Sequence, residues 1–411
     1  MSRTRTTRAS RILNAVLSPV VKGKDDPDGA WADAVGQVDE AAEASDAAAA
    51  DDFRVLLRSV AAEPRITPLG WILALTDAKG RYTNRLRIQR LVAENPRIAQ
   101  EPIEDPVFVL GLPRTATTLT HRVLASSPAH RGPLLWEMSY TDLENPEAAE
   151  RTIKALDRGS KVAGALLAPQ MKNMHPTGAT MPEETFWLLP HGTFYAGMYG
   201  ALPSYLDWYG RRSAAELTGD YQFLKQALQV LQHGRERRRW ILKYPGHLAD
   251  MTTIRQVFPD ATFVWTHRDP ASVVASACSL VETGWAMYQH DPDPLEVGRV
   301  VTNWMSSWLT SALEARLTLP PSAIIDVPYH KMSAAPHTEV PQLYAQLGAT
   351  WTASDAERLD RVIARPAGAR PHRYDITRYG LSPARVAESF GDYISLLHHI
   401  DVLDLKPGAE L

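Results

Sequence analysis

The chain is expected to fold as an α/β protein, a parallel sheet flanked by helices in three layers, preceded by a helical N-terminal region. Three observations predict this. An apolar run, Val107 to Leu110, passes through a glycine-led turn at Gly111 into a helix-forming segment near Thr117. Two later apolar runs, Trp240 to Leu242 and Thr262 to Trp265, are joined by Ala249 to Val257, which reads as the crossover helix that parallel strands require. Upstream, from Trp31 to Ile98, apolar residues recur at helical spacing, as in Phe53-Val55-Leu56-Leu57 and Trp71-Ile72-Leu73-Leu75.

In chain order, residues 1–30 come first. Arg3, Arg5, Arg8 and Arg11 precede the short apolar run Ile12 to Leu17, which Asn14 interrupts and Ser18-Pro19 ends. The run has no convincing cleavage site and is too short to span a bilayer. A basic, flexible or amphipathic tail is expected, with residues 1–24 making a weak peripheral contact with anionic lipid. Residues 31–104 predict a cap of about three helices, with a boundary between Pro102 and Pro106. The alanine- and acid-rich stretch from Asp39 to Asp52 reads as a solvated helix or linker. The α/β domain then runs over 105–411. Within it, about 170–225 reads as an insertion dense in aromatics, including Phe186, Trp187, Phe194, Tyr195, Tyr199, Tyr205, Trp208 and Tyr209. Such a segment suits either ordinary core packing or an apolar, ring-bearing ligand. Later, Ala323 to Val327 reads as another parallel strand, and Thr338 to Leu347 as the helix after it, with Pro341 in its first turn.

The turn after the first strand carries the chemistry. A P-loop reads G-x-x-x-x-G-K-[ST] between a strand and a helix, and its backbone N–H groups cradle an oligophosphate. Here Gly111 opens the loop, Ala116 holds the second glycine's place and Thr117-Thr118 replaces Lys-[Ser/Thr]. The loop is P-loop-like: it can hold a phosphate at a helix N-terminus but lacks the lysine for a γ-phosphate, and Arg114 supplies a cation from within it. If position 116 needs φ > 0, alanine there is strained.

Gly111, Pro113, Arg114, Thr117 and Thr118 resemble the loop G-x-P-R-S-G-T-T of sulfotransferases that use 3′-phosphoadenosine 5′-phosphosulfate (PAPS), closest to the bacterial and tyrosyl-protein type. Thr115 and Ala116 depart from it, standing where that loop has serine and glycine. A second segment strengthens the likeness. Arg268-Asp269-Pro270 follows the strand ending at Trp265, and Ser276 lies eight positions after Arg268. The resemblance implies that Arg268 and Ser276 bind the 3′-phosphate of PAPS, a dianion that a guanidinium can clasp while a hydroxyl adds a donor. It also implies that Lys243, at the end of its strand, contacts the bridging oxygen and the sulfuryl group. Loop residues 111 and 113–118 would hold the 5′ side. In the C-terminal stretch Arg370-Pro371-His372-Arg373, Arg370 or Arg373 is expected to close over the nucleotide.

A hydroxyl acceptor needs a base. The resemblance points to Glu137, beside Trp136, as that base; His175, Glu183 and Glu184 are its rivals. Glu183 and Glu184 also suit the N-terminal turn of a helix, just after Pro182. His247 fits a helix start or a phosphate-proximal role, and His121 fits packing or surface.

The implied reaction is direct transfer of a sulfuryl group from PAPS to the hydroxyl of an aromatic or lipid-like acceptor. Arg114, Lys243 and the loop would stabilise the departing adenosine 3′,5′-bisphosphate, with no metal required. The composition agrees with such an enzyme. A chain of 411 residues with 45% hydrophobic content buries a large core, and a net charge of −3 gives no footprint for nucleic acid. A lone cysteine, Cys278, precludes an intrachain disulfide and fits a cytoplasmic location. Two other classes compete: a P-loop small-molecule kinase, against which Thr117 argues, and an inactive nucleotide-binding scaffold, for which Ala116 is the one hint.

Overall fold

The structure is a computed structural model that describes residues 5–21, 23–36, 46–142, 145–364 and 374–403. Residues 5–21 are not a free tail. They contain a helix, α1 (Arg8–Leu17), started by Thr7, whose side chain accepts the Ser10 N–H. Among the described residues three helices follow, α2 (Pro27–Val35), α3 (Ala47–Ala61) and the 27-residue α4 (Pro68–Glu94). Proline at the first turn and a capping Asp26 or Thr67 start α2 and α4. Part of the Asp39–Asp52 stretch lies outside the described residues. From Ala47 it is the first turns of α3, and Ala49 and Ala50 are buried rather than solvated.

Five parallel strands form one sheet in the order β2-β3-β1-β4-β5. They are β1 (Val107–Leu110), β2 (His130–Arg131), β3 (Arg239–Lys243), β4 (Thr262–His267) and β5 (Ile324–Pro328). The edge strand β2 has no counterpart in the sequence-based expectation, because two residues are too few to show a period. On β1, Phe108 and Leu110 join the core on one face with Leu242, Phe263 and Trp265. Val107 and Val109 join that on the other with Ile241 and Val264. Both faces are therefore dry, which is why these strands read as continuous apolar runs.

After β1 the chain continues through α5 (Thr117–Ala125), α6 (Leu135–Ser139), α7 (Pro146–Leu166), α8 (Met171–Met174), α9 (Phe194–Tyr199), α10 (Pro203–Gly210) and α11 (Ala214–Gln232) before β3. The crossover from β3 to β4 is a 3₁₀ turn, Pro245–Asp250, and α12 (Met251–Val257). After β4 come α13 (Pro270–Tyr288) and α14 (Pro294–Thr318). The helix expected over Thr338–Leu347 runs Pro336–Gln346, with Pro341 inside it.

The aromatic stretch is mostly core. Tyr195, Tyr199 and Tyr205 are fully buried, and the Arg81 guanidinium of α4 lies 4.7 Å from the Trp187 ring and 5.0 Å from that of Phe194. Cation–π contact thus fastens this stretch to the N-terminal helices.

The connection leaving β1 runs toward the β2 edge and that leaving β4 toward β5. The switch point therefore lies at the carboxyl ends of β1 and β4, where open α/β sheets bind ligands.

Candidate active site

The loop from Gly111 to Ala116 crosses that switch point. Gly111 has φ of 136°, and a Cβ there would come within 2.5 Å of the Thr266 carbonyl oxygen. Only glycine fits between β1 and β4. Arg114 and Ala116 both adopt left-handed conformations, φ 74° and 73°. Alanine therefore does stand where the loop needs φ > 0, at a cost of about 1 kcal/mol relative to glycine. Ala116 is the N-cap of α5 and supplies no side-chain acceptor, so N–H groups of the first turn stay open to an anion.

Thr115 turns inward. Its hydroxyl meets the Leu112 carbonyl at 2.7 Å and the Thr266 hydroxyl at 2.6 Å, fully buried. It braces the loop against β4, while Pro113, Arg114, Ala116, Thr117 and Thr118 line a cleft of about 200 Å³.

Arg268, at the end of β4, lines the same cleft; its guanidinium donates to the Arg114 carbonyl at 3.2 Å and lies 4.5 Å from the Tyr329 ring. Ser276, two turns into α13, accepts the Arg114 Nε–H at 3.0 Å. A second Arg114 nitrogen donates to the Met174 carbonyl at 2.8 Å. The loop, Arg268 and Ser276, from segments about 150 residues apart, therefore meet in one place. Tyr329 was missed as a site residue; its signal was an aromatic at the carboxyl end of β5. Arg370 and Arg373 lie outside the described residues.

Lys243 ends β3 level with Val109 and is fully buried. Its ammonium forms an ion pair with Glu184, which lines the cleft. Glu183 pairs with His175, 3.4 Å from its Nε2, and accepts the Glu184 N–H at 3.0 Å. Burial pushes the Glu183 carboxyl up, but the His175 hydrogen bond and the His175 and Lys243 charges outweigh it and hold the group at about 2. His175, Glu183 and Glu184 offer ligand atoms within 4.8 Å of one another, a spacing compatible with a cation; the Lys243 ammonium already lies against this group.

Glu137 is elsewhere. As the third residue of α6 it accepts the Leu134 N–H at 3.0 Å, and it pairs with Arg131 at 2.7 Å. Arg131 is level with Trp240, three residues below Lys243, or roughly 10 Å along the sheet. Glu137 lines a separate cleft with Arg131, Arg235 and Arg238.

His247 and His121 are internal. His247 lies between the Thr185 hydroxyl (2.7 Å to Nε2) and the Tyr221 hydroxyl (2.9 Å to Nδ1), and Tyr221 donates onward to Asp250 at 3.0 Å. Burial holds His247 at about 3. His121 is buried against the Ile241 carbonyl at 3.1 Å and is pushed to about 3 by burial and the Lys243 charge. Both rings are therefore neutral at pH 7.

A second cavity, about 370 Å³, lies beside the turn after β3. Tyr209, Tyr221, Tyr244, Trp304 and Trp308 line it, with Asp250. Burial raises the Asp250 carboxyl to about 7 despite the Tyr221 hydrogen bond. Tyr244 and Gly246 border this cavity and Pro245 borders the loop cleft, so one turn separates the two.

Comparison with known proteins agrees with this geometry. A profile described as the sulfotransferase family matches residues 106–353. The chain is similar to the ω-hydroxy-β-dihydromenaquinone-9 sulfotransferase Stf3 of Mycobacterium bovis and of Mycobacterium tuberculosis. In each case the likeness is 25% identical over 301 residues, 68% of this chain and 72% of the relative. Among solved structures, sulfotransferase STF1 from Mycobacterium tuberculosis H37Rv matches with a TM-score of 0.75 and 26% identity, covering 89% of this chain and 98% of that one. STF9 from Mycobacterium avium matches with a TM-score of 0.74 and 26% identity, covering 85% and 92%. With a P-loop-like turn that lacks the kinase lysine, and a profile match that spans the whole sheet, the chain belongs to the sulfotransferase family and is an enzyme of sulfuryl transfer.

Proposed function

We propose that the sulfuryl donor is PAPS and that it binds in the cleft lined by Arg114 and Arg268, with Ser276 buried against Arg114. The observation that carries this reading is the convergence of the loop with Arg268 and Ser276 at the switch point. Two guanidinium groups, a hydroxyl and open helix N–H groups are the donor set that a nucleotide with two separate phosphoryl positions needs. The Gly111 loop would take the 5′ side, and Arg268 with Ser276 the 3′-phosphate. Lys243, buried at the end of β3, supplies positive charge where charge builds on the leaving phosphate.

Glu184 is the base in this account. It lies in the cleft beside Lys243, whereas Glu137 is engaged by Arg131 and the start of α6, and Glu183 by His175. Glu184 would take the acceptor's proton as its oxygen attacks sulfur in line, and Lys243 would turn from Glu184 to the leaving group.

The acceptor is a hydroxyl on an apolar, lipid-like body, in keeping with a relative named for a menaquinone derivative. The aromatic cavity beside Pro245 is the site for that body. Such acceptors are presented at membranes, and the proposal extends to a peripheral contact with that surface. Among the described residues no helix is long and apolar enough to cross a membrane. The test is transfer of labelled sulfate from PAPS to isoprenoid and quinol alcohols. Labelled product is expected from the wild-type protein and a large loss from Lys243→Ala; a chain that binds the nucleotide yet labels no alcohol would overturn the acceptor class.

A further inference from the structure

Helix α1 is turned inside out. Its protein-facing side is polar: Ser10 and Asn14 are buried, Asn14 accepts the Leu69 N–H at 2.8 Å, and its amide donates to the Ser10 carbonyl at 2.9 Å. Its outward side is aliphatic. Ile12 is 65% exposed, Val16 67% and Val20, just past the helix, 74%, with Leu13 beside them. In a surface helix the apolar stripe faces the core; here hydrogen bonds hold it away from the core.

The patch continues onto α7. The Thr7 hydroxyl donates to the Leu166 carbonyl at 2.6 Å, which ties the start of α1 to the end of α7, where Val162 and Leu166 are also exposed. Arg158, Lys161, Val162, Ala165 and Leu166 recur at helical spacing on one side of α7. Within the two segments that make the patch, the charge is positive, with Asp291 at its margin. Residues 5–21 hold Arg5, Arg8 and Arg11 and no acid, and residues 158–171 hold Arg158 and Lys161 and no acid, in a chain whose net charge is −3. Arg11 pairs with Asp291 at 3.3 Å and Arg5 with buried Glu282, while Arg8 and Lys161 are exposed.

The patch also borders the reaction cleft. Arg5 donates to Ser279 at 3.0 Å, one turn along α13 from Ser276. From Leu166, nine residues lead to His175, which lines the donor cleft. We infer that the outward face of α1, continued by the end of α7, seats the protein on an anionic lipid surface with the cleft at the level of the headgroups. Aliphatic side chains enter the interface while Arg8, Lys161 and Arg158 meet lipid phosphates. The use of this seat rests on the lipid-like acceptor proposed above: an alcohol at the headgroup level reaches the cleft while its tail stays in the bilayer.

The test is flotation of the full-length protein with vesicles of phosphatidylcholine alone and of phosphatidylcholine with phosphatidylglycerol. Binding to the anionic vesicles is expected, weakening as salt is added. Ile12→Ser with Val16→Ser should lower partitioning by at least about tenfold. Arg8→Gln and Lys161→Gln should each lower it by about fivefold, on anionic vesicles only. All four positions are exposed, and calorimetry with adenosine 3′,5′-bisphosphate should give wild-type affinity in each variant. That control separates a failure of docking from a failure of the donor-site reading. Absence of binding to the anionic vesicles, or binding that Ile12→Ser with Val16→Ser leaves unchanged, would overturn the inference. So would a dimer in sedimentation that the same double variant dissociates, since a second copy would then cover the face.

Discussion

Arg114, in the loop after β1, donates its Nε–H to the hydroxyl of Ser276, on the helix after β4, at 3.0 Å. One hydrogen bond thus joins the two segments proposed to grip opposite ends of the donor nucleotide. A ligand that takes up Arg114 must compete with Ser276 and the Met174 carbonyl for it. The Ser276 hydroxyl accepts from Arg114 and keeps its own hydrogen to donate to the 3′-phosphate, so Ser276→Ala should weaken adenosine 3′,5′-bisphosphate by about 1.5–3 kcal/mol, the scale for hydrogen bonds to charged groups. Calorimetry reads it directly, and unchanged affinity would remove Ser276 from the site.

The left-handed Ala116 gives a prediction about the loop itself. Ala116→Gly removes a Cβ penalty at φ 73°, so it should raise stability by about 1 kcal/mol in urea denaturation. A loss of stability would mean that alanine makes packing contacts here that offset its strain.

Glu184 and Glu137 separate by what each variant loses. Glu184→Gln should lower kcat by roughly 10²–10⁴, the range for general-base catalysis, with bisphosphate affinity nearly unchanged. Glu137→Gln should keep most turnover but lose about 1–3 kcal/mol of stability, because the part-buried Arg131 is left without its carboxylate. The reverse pattern, a dead but stable Glu137→Gln, would return the base to Glu137 and require α6 to move.

Asp250 makes stability depend on pH. Its folded carboxyl titrates at about 7, against about 3.9 in an unfolded chain. Between those values the folded state holds a proton that the unfolded state has released, so this group's contribution falls as pH rises through the window. Asp250→Asn does not titrate and can still accept from Tyr221. Its stability relative to wild type should grow from about pH 4 to about pH 7 and level off above. Urea titrations at the two ends check this; a constant difference would mean that the fold leaves the Asp250 carboxyl at its ordinary value.

The turn after β1 and the Arg268 to Ser276 segment were legible as local structure because each is short and self-contained. A buried strand, a glycine where no Cβ fits and a helix start fall within about ten residues, and the topology only has to bring two such pieces together. Glu137 was not legible in the same way. A glutamate at the third position of a short helix satisfies an N–H whatever else it does, and its partner Arg131 lies on a two-residue strand that no period reveals. The aromatic stretch could be read as core or as ligand site, and its residues divide between the core and the wall of a cavity. Tyr195 and Tyr199 pack against Arg81's helix and Tyr205 is buried against Tyr195, while Tyr209 faces the cavity. For residues 5–21, composition suggested a tail; the side chains that dock it, Asn14, Thr7 and Arg5, are polar ones whose partners come from distant segments.

Paired titrations of adenosine 3′,5′-bisphosphate and adenosine 5′-phosphate into wild-type protein and Arg268→Ala test the central claim most directly. Arg268 is part-buried in the cleft proposed for the donor, so the bisphosphate should bind the wild-type protein tighter by at least about 2 kcal/mol, the lower end for losing one partner of a buried charge pair. Arg268→Ala should erase most of that preference and leave the 5′-phosphate nearly unaffected. Equal affinities of the two nucleotides for the wild-type protein would contradict the account.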